Sequence, residues 1–524
     1  MAEEHPELVF GLIGAIGTEL ELVERALHKS LSDVGYDTVD LRLADLLRDL
    51  PPAWINLPPR SHPNYYSLAM DAGNKLRADL GRADAMAALA MLAIVKFRAE
   101  NPAPKGKGAR RAYILSSLKR PEEIKLLRDV YGASFFAISA YAPRDSRVTR
   151  LASLQAERLH ENRSAAHRSV AESLILRDES EPGDYGQDIR KTFPYGDLFV
   201  NTSSVRDCEK EVSRFIGLIF GDPWPTPTRD EQGMAIAFLA SLRSGSPARQ
   251  VGAAITDAEG NVQAIGTNEV PSPGGGQYWE NDAGDGRDAY YDRIDKSDLM
   301  RGNVLSDILS RLRKLGALAG DEADDAKLLT AQTDRNGLLR TAQLFDTIDY
   351  VRSVHAEAAA LLSGAGRTRG STLYVTTFPC HECARHIVFA GVARVIYLES
   401  YPKSLVSELY RDSISIDPIE NCGNKVRFSP FSGISPSIYQ HLFSLTKKMR
   451  KLNDGTLVVW NGAESFPRLH NSYSEPAIIA AEADFLLLFE PALLEKGVQS
   501  GKLSGNTGEG VASLSSSGGP PGGG

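Results

Sequence analysis

Cysteine is scarce in this chain, at four in 524 residues. So few thiols suit a reducing cytoplasm rather than a disulfide-built secreted scaffold. No apolar run reaches the roughly 18 residues of a membrane span, and no charged-then-apolar leader opens the sequence. Neither a membrane span nor a secretory signal is indicated, and a cytoplasmic protein is the expectation. Basic charge is not in excess either: 59 Lys and Arg stand against 67 Asp and Glu, a net charge of −8, with a pI near 5.8. That balance argues against a protein that coats nucleic acid electrostatically. Local basic clusters at Lys105 to Arg111 and Lys447 to Lys451 read as solvated loop or helix ends. With 42% apolar and 24% charged residues, the chain has the composition of a globular protein with room for two or three domains.

Two of the four cysteines nevertheless stand three positions apart, in Pro379-Cys380-His381-Glu382-Cys383, and Pro379 follows His355-Ala356-Glu357 by 22 residues. A lone C-x-x-C is also the pattern of a redox pair, and a lone His-x-Glu arises by chance. Together, in this order and spacing, they supply one nitrogen and two sulfur ligands for a catalytic Zn2+ that keeps a fourth position for water. Glu357 is left as a carboxylate that binds no metal, which is the proton carrier that hydrolytic removal of an amino group from a nucleobase requires. His355, Cys380 and Cys383 are thus the expected zinc ligands and Glu357 the expected catalytic residue, with no organic cofactor. Cys208 and Cys422 have no such partners and read as ordinary buried thiols. The flanks agree. Ser371 to Thr377 is β-branched and aromatic, a strand running into the Pro-Cys turn. Cys383 to Phe389 has helical character, which places both sulfurs near a helix N-terminus, where the dipole favours thiolate. His355 to Leu362 opens another helix and presents imidazole and carboxylate from its first turn.

The N-terminal third is organised differently. Leu8 to Ile13 is a buried-strand signal, followed by the turn Gly14-Ala15-Ile16-Gly17-Thr18 and an amphipathic run from Leu20 to Leu31. Strand, glycine turn and helix form the layout that cradles phosphate on backbone N–H groups. The lysine of the usual Gly-Lys-Ser/Thr pattern is missing, because Thr18 directly follows Gly17. Alternation continues with strands at Arg111 to Ser116, Ser134 to Ser139 and Tyr195 to Asn201 and helices at Pro121 to Tyr131 and Val205 to Phe220, predicting a parallel sheet covered on both faces. Gly221 to Pro227 breaks the pattern and marks a domain boundary. Beyond it come a helix from Asp230 to Arg243, a hairpin over Gln250 to Thr256 and Val262 to Gly266, and an insertion over 277–350 with helices around 305–315 and 337–344. Its acidic stretch, Asp321 to Asp325, reads as an exposed linker. The expected domains are 1–225, 226–500 and a disordered Gly/Ser/Pro-rich tail, 501–524.

His355-Ala-Glu357 with Pro379-Cys-His-Glu-Cys383 resembles the zinc-dependent cytidine/deoxycytidylate deaminase superfamily. Ser244 to Ala253 and Gly266 to Pro271 resemble its deoxycytidylate deaminase branch. The N-terminal part is similar to P-loop nucleotide kinases through Gly11 to Thr18, Leu118 to Glu122 and Gly196 to Asn201. Their fusion, with Tyr401 to Leu405, Asp412 to Ile414 and Phe428 to Pro436 downstream, resembles the bacterial anti-phage dCTP deaminases. The resemblance implies an α/β protein, with a doubly wound P-loop nucleotide kinase-like domain ahead of a cytidine deaminase-like α/β/α domain with a mixed sheet. It implies deamination of dCTP and of dCMP, which depletes cytosine nucleotides during phage infection. Asn268 would then meet the sugar or base and Arg249 the phosphate. Gly11, Gly14, Gly17 and Thr18 would hold a regulatory nucleotide without phosphoryl transfer, and an RNA or phage-derived trigger and a homo-oligomer are further expectations. The rival readings are a housekeeping dCMP deaminase, a polynucleotide cytidine deaminase, which would need a basic channel, and a silent zinc module, for which Glu357 would have no use.

Overall fold

The computed structural model describes residues 5–498 apart from 103–108, 162–163, 292, 294, 319–341, 343, 345–349, 402, 418–421, 446–449 and 469–474. The chain divides into two compact units, residues 1–227 with 432–524, and residues 228–431. The Pro-rich break before Thr228 ends the first stretch. The expected second domain, 226–500, does not stay whole, because residues from Ser432 onward group with the N-terminal unit. Two contacts explain this. The short strand Gly433–Ile434 adds antiparallel to Leu198–Asn201, and the helix Glu475–Glu495 buries Ile478, Leu486, Phe489 and Leu493 in the N-terminal core. The tail at 501–524, the acidic stretch 321–325 and most of both basic clusters lie outside the described residues.

In the first unit the strands β1 (Leu8–Gly14), β2 (Asp37–Arg42), β3 (Arg111–Leu118), β4 (Phe135–Tyr141) and β5 (Leu198–Asn201) form a parallel sheet in the order β2-β3-β1-β4-β5. The longer helices before the break at Pro227 are α1 (Leu20–Asp33), α2 (Tyr65–Leu80), α3 (Ala85–Glu100), α4 (Pro121–Tyr131), α5 (Arg144–Arg158), α6 (Arg168–Glu179) and α7 (Val205–Ile219). Side chains alternate across a pleat, and β1 shows it: Val9 and Ile13 enter one core, while Leu8, Phe10 and Leu12 enter another. The first core takes residues of α3 and α4, and the second takes Leu22, Leu27 and Leu31 of α1 and Val212, Phe215 and Ile216 of α7. A sheet apolar on both sides must be covered on both, which is why β1 reads as an unbroken apolar run. Helix α3 is buried almost all round through Met86 to Leu92, so it carries no amphipathic stripe.

The second unit opens with α8 (Arg229–Ser241), started by a reciprocal cap: Glu231 N–H donates to Thr228 Oγ1 at 3.1 Å and Thr228 N–H to the Glu231 carboxylate at 2.7 Å. Its strands are β6 (Gly252–Thr256), β7 (Val262–Thr267), β8 (Thr372–Thr377), β9 (Arg394–Glu399), β10 (Ile414–Ile416) and β11 (Val426–Pro430). They form a mixed sheet, β10-β11-β9-β8-β6-β7. The expected hairpin β6–β7 is antiparallel, β6 is also antiparallel to β8, and the remaining neighbours are parallel. The insertion holds α9 (Lys296–Lys314), longer than expected, and the second expected helix, 337–344, falls almost wholly outside the described residues. The helices α10 (Ala356–Ser363) and α11 (His381–Phe389) pack Ala356, Ala360, Ala384 and Ile387 on the face carrying Ala253, Ile255, Leu373 and Val375. Tyr374, on the opposite face, lies against Gly233 of α8. The unit is therefore an α/β/α sandwich.

Candidate active site and metal centre

Both halves of the motif sit at helix N-termini on one face of this sheet. His355 is the extended residue before α10 (φ −64°, ψ 150°), so its ring and the carboxylate of Glu357 leave from the first turn. Cys380 holds the corresponding place before α11, where its Sγ accepts the Cys383 N–H at 3.4 Å. The turn between β8 and α11 is anchored by Ser404, whose Oγ donates to the Pro379 carbonyl at 2.8 Å. His355 Nδ1 lies 3.3 Å from each sulfur, and the three donor atoms fall within 4.8 Å of one another. A nitrogen and two sulfurs gathered at one point, with no fourth protein donor among the described residues, fit the donor chemistry of zinc, which His355, Cys380 and Cys383 would hold while leaving a place for water.

The electrostatics follow from crowding. The Cys380 thiol is depressed to about 4, first by its hydrogen bond with Cys383 and then by the imidazole, while Cys383 is pushed well up by the same Cys380 contact and by burial. The His355 imidazole is raised to about 9 by its bond to Cys380. Glu357, 4% exposed, has its carboxyl raised first by burial and then by the charge on Cys380. Positive charge at the three ligand atoms would pull it back down.

A cavity of about 360 Å3 opens on this cluster, lined by Glu357, His355 and Cys380 together with Asn268, Arg249, Phe378 and Tyr401. Asn268 is buried, with Oδ1 accepting from Val251 N–H at 2.7 Å and Nδ2 donating to the Arg249 carbonyl at 2.8 Å. Its first task is to hold the entry to β6, which leaves one N–H and one lone pair for a ligand. Arg249 is half-exposed, 3.9 Å from Glu399 and 5.7 Å from the Tyr401 ring centre. The lining also contains Arg352 and Lys403, which carried no spacing signal because they come from separate loops. Gly266 was legible only as part of the Gly266 to Pro271 segment, and its physical role appears here: a Cβ there would lie 2.2 Å from the Ala356 carbonyl, so β7 and the helix carrying Glu357 touch backbone to backbone. Cys208 is buried as expected, but Cys422 is only half-buried, since it sits beside an edge loop and not in a core.

In the first unit, Gly14, Gly17 and Thr18 line a second cavity, of about 330 Å3. Gly11 does not; it lies inside β1, where a Cβ would meet Leu118 at 2.5 Å and Phe135 at 2.9 Å, so its glycine serves packing and not ligand approach. Gly17 adopts φ +87°, and a Cβ there would lie 2.9 Å from the Arg147 carbonyl, so the turn itself depends on it. Among the described residues no helix is long and apolar enough to cross a membrane.

Residues 227–399 match the family model described as the cytidine and deoxycytidylate deaminase zinc-binding region. A probable deoxycytidylate deaminase of Drosophila melanogaster is 30% identical over 172 residues, covering 32% of this chain and 58% of the relative. The deoxycytidylate deaminase of Mus musculus is 27% identical over 191 residues, covering 36% of this chain and 68% of the relative. The apo crystal structure of dCMP deaminase from the cyanophage S-TIM5 is 18% identical, covering 40% of this chain and all of that one, with a TM-score of 0.21. The chain thus spans under two thirds of the Drosophila relative's length. The stretch that matches this zinc-binding region model contains His355, Cys380 and Cys383, the residues whose donor atoms the fold brings together.

Proposed function

We propose that the second unit hydrolyses the exocyclic amine of deoxycytidine nucleotides, converting dCTP and dCMP to the deoxyuridine nucleotides and ammonia. The observation that carries this is a buried carboxylate, Glu357, placed beside a three-donor N/S/S cluster and opening on a ligand-sized cavity. Zinc, when bound, supplies a Lewis acid that makes water a better nucleophile at neutral pH. Glu357 takes the water's first proton and delivers it to the ring nitrogen next to the reacting carbon, then takes the remaining proton of the added hydroxyl and passes it to the amine, which leaves as ammonia. Its burial bears on this task, since desolvation favours the protonated carboxyl and opposes the downward pull of a bound cation. The wall containing Asn268 and Phe378 can orient a base, and Arg249, Arg352 and Lys403 offer cationic groups to phosphate.

The finer reading follows the resemblance: a deaminase that depletes dCTP in anti-phage defence, assembled as a homo-oligomer. Its N-terminal unit would be a P-loop nucleotide kinase-like regulator that answers to a nucleotide, RNA or phage-derived trigger. The sheet order β2-β3-β1-β4-β5 and the glycine turn after β1 support that view of the first unit. The relatives named deoxycytidylate deaminase favour a second reading, a housekeeping enzyme that prefers dCMP. Ammonia release from dCTP, dCMP, CTP and a single-stranded oligonucleotide separates these. Turnover of dCTP at a rate at least comparable with dCMP supports the first, dCMP alone supports the second, and turnover of the oligonucleotide alone overturns both. Phage plating on cells that express the wild type or Glu357→Ala tests the defence role.

A further inference from the structure

The turn after β1 lacks a lysine in sequence, yet an ammonium group stands beside it. Lys119, one residue beyond the end of β3, donates from Nζ to the Gly14 carbonyl at 2.8 Å. The same Nζ lies 2.8 Å from Asp178 Oδ1. Asp178 comes from the last turn of α6, its side chain fully buried, and its other oxygen accepts the Ile16 backbone N–H at 2.7 Å. A carboxylate therefore rests on the backbone N–H and the cation that a phosphate oxygen would seek at this turn.

Four further observations point to a ligand site. The turn opens on the 330 Å3 cavity, at the lower end of the roughly 300–1,000 Å3 range of small-molecule sites. Arg42, Arg60, Arg77, Lys119, Arg150 and Arg158 line it, and of these Arg42, Arg60, Arg77 and Arg150 are already paired with Glu24, Asp45, Glu123 and Glu19, which leaves Lys119 and Arg158 as the cations that a ligand could engage. Thr18, which also lines it, is 8% exposed, and its Oγ1 has no hydrogen-bond partner among the described residues. A buried hydroxyl left unsatisfied is costly unless a ligand completes it. On the far wall, Arg158 lies 4.3 Å from the ring centre of Tyr66 and 5.6 Å from that of Tyr65. A planar cation among aromatic rings suits a nucleobase.

We propose that this cavity binds a nucleoside phosphate, with Lys119 acting in place of the lysine missing from the turn, and that Asp178 is an internal competitor occupying the phosphate position. A phosphate brings more charge and more acceptors than the carboxylate, so it takes over Lys119 and the Ile16 N–H. Against this, Asp178 loses both partners in a buried setting, which keeps affinity low in the wild type. The inference rests on the proposed reading of the first unit as a nucleotide-binding domain.

The test is calorimetric titration of the full-length zinc-loaded chain with ATP, AMP and adenosine, with melting temperature and zinc content checking the fold of each variant. Wild type should bind ATP and AMP and not adenosine. Lys119→Met should weaken ATP binding about tenfold, the worth of one charge-assisted contact. Asp178→Asn, which keeps an oxygen for the Ile16 N–H and removes the competing charge, should tighten it about tenfold. Absence of ATP and AMP binding in both wild type and Asp178→Asn overturns the nucleotide-binding reading itself. Binding that ignores both substitutions leaves that reading standing and overturns the roles of Lys119 and Asp178. Should Asp178→Asn fail to fold, the Lys119→Met titration decides alone: weakening supports the inference, and unchanged binding sinks it.

Discussion

The two units assemble their polar sites from opposite kinds of material. In the second, His355 meets Cys380 and Cys383 across 25 and 28 positions of chain, from the N-termini of two helices. In the first, the turn after β1 is completed by Lys119 across 105 positions and by Asp178 across 162. A site built from neighbouring helix starts keeps its spacing as a motif, because backbone geometry at a helix N-terminus determines where the first side chains point. A site built from remote strand and helix ends has no spacing to preserve. The lesson is that the missing lysine of the glycine turn describes the turn and not the cavity.

The comparison breaks most sharply at the metal-ligating residues. Cys383→Ser should remove zinc from a protein that otherwise carries about one ion per chain at this site, and with it all deamination; elemental analysis beside an ammonia assay decides. Full activity in a zinc-free variant would end the mechanism. Next comes Glu357→Ala, which should retain zinc while turnover falls by roughly 1,000-fold or more, because only proton movement is lost. Zinc loss in that variant would mean that the carboxylate had been given the wrong task.

Smaller effects sharpen the contrast. Gly266→Ala places a methyl group against the α10 backbone, and such overpacking should cost about 1–3 kcal/mol, read as a lower urea midpoint with reduced zinc retention. An unchanged midpoint would show that β7 and α10 can part without consequence. Arg249→Ala is the mildest: half-exposed and only loosely paired with Glu399, it should raise KM for dCTP by about tenfold or less with kcat nearly unchanged. A fall in kcat at constant KM would instead place Arg249 in the chemical step.

The sequence by itself determined the elements whose causes are local. The β1 run and its glycine turn, the start of α4 at Pro121, the β6–β7 hairpin and the two helix starts bearing His355 and Cys380 all follow from apolar period, turn residues and caps. The zinc cluster belongs to this class, since its spacing is the record of two helix N-termini. Long-range pairing alone decided the rest. Helix α3, buried almost all round, and the helix Glu475–Glu495 gave no stripe to read, and the pairing of Gly433–Ile434 with β5 and the shared core at Phe489 and Leu493 return the chain after Ser432 to the first unit. Gly11 sits in the glycine pattern but serves packing against Leu118 and Phe135. Lys119 and Asp178 are one ordinary lysine and one ordinary aspartate until the sheet order sets β3 beside β1 and α6 across the turn. Charge pairing of that kind depends on where chains meet in space, and residue order carries no trace of it.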